Sequence, residues 1–259
     1  MEKYKTYNQS YLITDDYYLK EFGNLFDIGK LIRHTLYVSG EHDKYLQREI
    51  NVKLIKQDQT WVITQYYIKQ HQLPKLNDQI WVRTRVIDAN RFFITRYFDV
   101  YTEQDLLYEV YTQYTVIDLN SRKMVRMNVD PLEHNQLIDT EFTAAFNRFV
   151  KPDSFDYYLT TEKVIHENDI DYNNHVNNLV YLNWAFSSLP EDLVKNYSID
   201  TIEVKYGKEL RRDNQVMIES FGSKQDDNHI ETYQIIKDKD NGKDACYVRI
   251  QWQQEEKKL

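Results

Sequence analysis

The sequence predicts an α+β fold in two matching halves, each an antiparallel sheet carrying one helix. Three observations point there. Apolar residues recur at helical spacing in two stretches, 24–38 and 176–189. Most of the remaining chain consists of short β-branched or aromatic runs bounded by polar turns. Helix followed by strands occurs twice, and sliding the chain by about 153 residues lays NLFDIGKLIRHTL over NNLVYLNWAFSSL. Identity in that overlay is weak, so the duplication rests on pattern.

After a polar start, Leu25, Ile28, Leu31, Ile32, Thr35 and Leu36 mark a helix from about Asn24 into the forties. Strands are expected at Ile50–Ile55, Trp61–Ile68, Gln79–Ile87, Arg91–Tyr101 and Leu107–Asp118. The connection LPKLNDQ has the Pro, Asn and Asp of a turn. Residues 127–153, with Pro131 and Pro152, read as a crossing linker with a short helix near 140–148. The second half opens with a strand at about 156–165. A helix then runs over Val176–Leu189 and stops at Pro190. Strands follow near Ser198–Tyr206, Gln215–Gly222, His229–Lys237 and Ala245–Gln253, and the tail EEKKL is expected to fray. The domain reading is 1–130, a linker at 131–152, and 153–259.

Composition narrows function by exclusion. A net charge of −8 disfavours nucleic acid as the main partner. Six glycines, at 23, 29, 40, 207, 222 and 242, form neither GxGxxG nor GxxxxGK[ST]. One cysteine, Cys246, rules out an internal disulfide. The opening MEKYKTYNQS has no apolar signal region and no 18-residue apolar run exists, so a cytoplasmic protein without a membrane span is expected.

Chemistry concentrates in DIDYNNHVNN, residues 169–178, where Asp171, Asn173 and His175 stand two apart before an apolar helix. Counted as a calcium loop from Asp169, the sixth position is Asn174 instead of Gly and the twelfth is Val180 instead of Glu. His175 has no His three or four residues away, so nothing asks for zinc. A plain helix cap accounts for the Asx residues. A helix entrance can also face a carbonyl turning into an oxyanion. Acceptor, amide and imidazole there suit hydrolysis by an activated water. The overlay sets Lys20 and Phe22 opposite Asn173 and His175, so only the second half carries the cluster.

The run Asp171-Tyr172-Asn173-Asn174-His175-Val176-Asn177-Asn178, with Tyr181 and Trp184, resembles the D-x-N-x-H-V-N-N-x-x-Y-x-x-W signature of acyl-acyl carrier protein thioesterases. Within VKYGKELRRDN, Glu209 stands 34 residues after His175, where that family places a catalytic Glu. The next position, a Cys in many plant members, is Leu210, and Cys246 falls on a strand expected to be interior. WVITQYYI, the turn at 74–78 and YTVIDLNSRKMVRM are similar to the family's first half, with Asn77 where a Gly is usual.

The resemblance implies a tandem double hot-dog, each half an antiparallel sheet wrapped around a central helix. It implies hydrolysis of acyl thioesters on a carrier protein's phosphopantetheine arm, with no cofactor and no metal. Glu209 would activate water, a role that burial favours. His175 would bond the carbonyl or leaving group, Asn173 would position water or substrate, and Asp171 would orient both. The acyl chain would lie in the first half, with Phe26, Ile32 and Trp61 as candidates. An acidic carrier protein would dock on a local basic patch, Lys205, Lys208, Arg211 and Arg212. Homodimerisation stays open. The alternatives are a hot-dog hydratase or dehydratase acting on acyl thioesters, and a non-catalytic acyl-binding module.

Overall fold

The computed structural model describes residues 1–19, 25–144, 146–171 and 174–254. The chain divides into two compact units, Met1–Tyr18 with Phe26–Phe146, and Leu19–Leu25 with Asn147–Leu259.

In chain order, β1 (Thr6–Leu12) of the first unit comes first, then the two-residue strands β2 (Tyr18–Leu19) and β3 (Leu25–Phe26) at the unit boundaries, then helix α1 (Ile28–Ile50). Then follow β4 (Gln59–Gln70), β5 (Gln79–Ala89), β6 (Ile94–Tyr101), β7 (Leu106–Asp118) and a short helix α2 (Asp130–His134). The antiparallel order is β1-β5-β6-β7-β4. Helix α1 starts where the Asp27 carboxylate accepts the Lys30 N–H at 2.9 Å. Its face of Ile28, Leu31, Ile32, Thr35, Val38, His42 and Leu46 is buried against β1 and β5. It ends at Asn51, whose φ of 55° is a left-handed cap that Asn tolerates.

That cap explains one correction. No strand forms at Ile50–Ile55: the helix continues to Ile50, and Val52, Leu54 and Ile55 fold onto a cluster with Leu46, Ile94 and Val116. Their alternation reflects alternate burial without a partner strand. A second difference is β1, which the polar start concealed. It is an edge strand, and Tyr7 and Tyr11 on one face stack on His42 and His34 of α1.

The expected helix at 140–148 is absent among the described residues, and the helical turn lies earlier, at Asp130–His134. Leu132 and Leu137 are buried in the core. Beyond them the chain straps the outer face of β5 and β6. Asp139 N–H donates to Val86 O at 2.8 Å, Asp139 pairs with Arg85 at 3.2 Å, and Phe142 stacks on Tyr97. Strand β6 is therefore buried on both faces.

In the second unit, β8 (Tyr157–Lys163) leads to α3 (Asn178–Ser187), α4 (Glu191–Asn196), β9 (Tyr197–Tyr206), β10 (Val216–Lys224), β11 (His229–Asp238) and β12 (Asp244–Gln254). The antiparallel order is β9-β12-β11-β10-β8. Helix α3 is shorter than expected and apolar nearly all round, burying Tyr181, Leu182, Trp184, Ala185 and Phe186 against β10, β11 and β12. Phe149 packs on Tyr233 and Tyr247, covering the outer face of this sheet. No helix among the described residues is long and apolar enough to cross a membrane.

Candidate active site

The stretch before α3 folds into a tight loop held by its own backbone. Ile170 and Val176 form an antiparallel bridge, and the Asp171 N–H donates to His175 O at 2.8 Å. Asp171 also accepts through its side chain: Oδ1 takes the His175 N–H at 3.1 Å. Asn174, at φ 63°, makes the left-handed step that closes the turn. Asp171 thus orients His175 through the backbone amide. Asn173, together with Tyr172, Lys20 and Phe22, lies outside the described residues.

Asn177 caps α3 by accepting the Leu179 N–H at 3.0 Å. The N–H groups of Val176, Asn177, Leu179 and Val180 all donate to protein oxygens. Of these, Leu179 and Val180 bond to the Asn177 cap, whereas Val176 bonds Leu210 O and Asn177 bonds Asp169 O.

Glu209 arrives from the other side. After β9, Gly207 N–H donates to Ala245 O at 2.8 Å and Lys208 N–H to Asp244 O at 3.1 Å. A Cβ at Gly207 would fall 2.6 Å from Asp244 O, so the close approach of these two segments needs glycine there. Val176 N–H donates to Leu210 O at 2.9 Å, drawing this segment against the His175 loop. The outcome is a contact of 3.2 Å between His175 Nε2 and Glu209 Oε2. The imidazole is buried, whereas the carboxylate is 48% exposed, less enclosed than the sequence reading wanted for a base.

Leu210 is fully buried. Cys246 on β12 is fully buried as well, and burial pushes its thiol well above the ordinary range, so no thiolate is available there. Asp238 was not singled out by the sequence. It is buried and accepts from Lys208 Nζ at 3.4 Å, Asn214 Nδ2 at 3.1 Å and Asn241 Nδ2 at 2.6 Å. It anchors the loop that follows Glu209, and its only sequence signal is the turn composition KDKDNGK around it. Of the basic residues, Lys208 is engaged with Asp238 and Arg212 with Glu167 at 2.5 Å, while Arg211 is exposed.

The acyl-chain candidates separate. Phe26 is buried between the rings of Tyr17 and Tyr108, and Ile32 is buried on α1. Trp61 lines a cavity of about 240 Å³ within the first unit, with Leu36, Ile63, Ile94, Tyr114 and the paired Asp43 and Arg96.

Two successive sheet-and-helix units, the second carrying a His–carboxylate pair beside its helix, define a tandem hot-dog protein. Residues 4–134 match the Acyl-ACP thioesterase N-terminal domain and residues 157–254 the Acyl-ACP thioesterase C-terminal domain. The chain belongs to the acyl-ACP thioesterase family. It is 24% identical over 214 residues to a chloroplastic acyl-[acyl-carrier-protein] hydrolase of Cuphea viscosissima, covering 77% of this chain and 50% of that protein. The chain thus spans about half the length of that plant relative. Its fold is that of an acyl-ACP thioesterase from Bacteroides thetaiotaomicron, with a TM-score of 0.75 at 20% identity over 98% of this chain and 100% of the other. A 12:0-ACP thioesterase from Umbellularia californica gives 0.76 at 16% identity over 96% and 94%.

Proposed function

We propose that the chain hydrolyses fatty acyl thioesters on the phosphopantetheine arm of an acyl carrier protein, releasing the free acid and the holo carrier protein. The observation that carries this is the 3.2 Å contact between His175 Nε2 and Glu209 Oε2, in a chain whose two halves both match the family.

Glu209 takes a proton from water as the oxygen attacks the thioester carbonyl carbon. The carbon–sulfur bond then breaks, and the departing thiolate receives a proton relayed through His175. Asp171 holds the His175 backbone in place. Asn173 positions the water or the carbonyl. Within the first unit, the cavity lined by Trp61 is the candidate for holding an acyl chain. Exposed Arg211, beside Lys208 and Arg212, which pair with Asp238 and Glu167, is the docking candidate for the acidic carrier protein on a chain of net charge −8.

A thiol-release assay over a series of acyl-carrier substrates tests this, with wild type, Glu209→Ala and His175→Ala. Wild type should release thiol and free acid, and both variants should lose at least 100-fold in rate. No thiol release at any chain length would remove the hydrolase reading. Full rate in both variants would remove the site assignment. A product hydrated at carbon with the thioester intact would point to the hydratase alternative.

A further inference from the structure

We infer that Tyr181 is a positioning residue: its buried hydroxyl holds the backbone beside Glu209 and thereby sets the reach of that carboxylate to His175. This rests on the roles proposed above for Glu209 and His175.

Leu210 directly follows Glu209, and both of its backbone polar groups are tied. Its C=O accepts the N–H of Val176, the residue after His175, at 2.9 Å. Its N–H donates to Tyr181 Oη at 3.3 Å. Leu210 is fully buried, so water does not replace that acceptor. One bond therefore links the residue after the carboxylate to the residue after the imidazole, and the other links it to α3.

Tyr181 itself has little freedom. It is 3% exposed, and its ring packs edge-on against Trp184 at 5.6 Å and Tyr206 at 5.9 Å. A phenylalanine would fill the same space but leave the Leu210 N–H without an acceptor. The backbone at 209–210 would then shift toward another one. The Glu209–His175 contact is an ion-pair approach of 3.2 Å between Oε2 and Nε2, so a shift of the backbone at 209–210 lengthens it directly.

The test measures kcat, KM and melting temperature for Tyr181→Phe, Glu209→Gln, their double variant, and Tyr206→Phe. The last removes a hydroxyl from the same aromatic cluster, one that bonds Asn178 O at 2.9 Å instead of Leu210. Tyr181→Phe should lower kcat about 10-fold, with KM within about twofold, a smaller loss than the 100-fold of a larger misplacement. In the double variant the loss should equal that of Glu209→Gln alone, because both changes act on one carboxylate. Tyr206→Phe should lose melting temperature but keep kcat. An unchanged kcat in Tyr181→Phe, an equal loss in Tyr206→Phe, or multiplied losses in the double variant overturn the inference. If Glu209→Gln keeps full rate, the site reading itself falls and the role of Tyr181 with it.

Discussion

Glu209 and His175 stand 34 residues apart in the chain and meet at 3.2 Å between Oε2 and Nε2. Both are carried on backbone that is pinned, His175 by Asp171 and Glu209 by the bonds of its neighbours Lys208 and Leu210. Length should therefore matter as much as charge. Glu209→Asp keeps the carboxylate but withdraws it by one methylene. We expect kcat to fall about 100-fold, with melting temperature nearly unchanged because the side chain is half exposed. Steady-state kinetics with a thermal melt checks it, and near-wild-type kcat would show that the contact is not used.

Asp171→Ala removes the carboxylate that accepts the part-buried His175 N–H and leaves that amide without this acceptor. The expected cost is about 1–3 kcal/mol of stability, together with a fall in kcat. Urea unfolding and thiol release on one preparation separate the two. A loss of stability alone would limit Asp171 to holding the loop.

Reversing Arg211 and Arg212 to Glu should raise KM for carrier-bound substrate more than for the same acyl chain on CoA. The difference should shrink as salt is added, since screening weakens exposed charges. Breaking the exposed Arg212–Glu167 pair should itself cost only about 0–1 kcal/mol. Equal KM effects on both substrates would move the docking surface elsewhere.

Glycine has opposite meanings at two places. Gly222 on β10 faces Tyr157 on β8, and a Cβ would come within 1.8 Å of that ring. Gly222→Ala should cost about 1–3 kcal/mol as the ring is displaced. Gly40 lies in α1 with nothing within 4 Å of a Cβ, so Gly40→Ala should gain about 0.5–1 kcal/mol. Chemical denaturation of the two variants should move the midpoint in opposite directions.

His42 supplies a pH dependence. Burial, and then the nearby Arg96 guanidinium, push it down to about 3, and burial pushes His34 down to about 4. Between those values and the ordinary 6.5 the unfolded chain binds protons that the folded chain does not. Stability should therefore be full above about pH 6.5 and fall as the solution is acidified through that window. His42 accepts from Arg96 at 3.0 Å and reaches Tyr4 O at 2.9 Å, and a Gln can satisfy both partners. His42→Gln should flatten the decline between pH 7 and 5, as urea titrations at each pH would show.

The strands were legible because β-branched and aromatic runs ending in polar turns have few other ways to be buried. Two exceptions show the limit. Ile50, Val52 and Leu54 alternate like a strand, yet the left-handed turn at Asn51 sends them into the core. TYNQSYL reads as a polar start, yet Tyr7 and Tyr11, on one face, stack on α1. In both cases local pattern records which side chains are buried, not what buries them.

The sequence by itself determined the duplicated α+β order, the family signature from Asp171 to Trp184, and the 34-residue spacing that singles out Glu209. Only the tertiary structure decided how that spacing closes. The loop must turn at Asn174, β9 must pass close to β12 at Gly207, and Leu210 must be held by Val176 and Tyr181. Apart from the local turn at Asn174, these are contacts between groups far apart in the chain, one of them the Tyr181 side-chain hydroxyl. They depend on burial and distance, and a list of residue types carries neither.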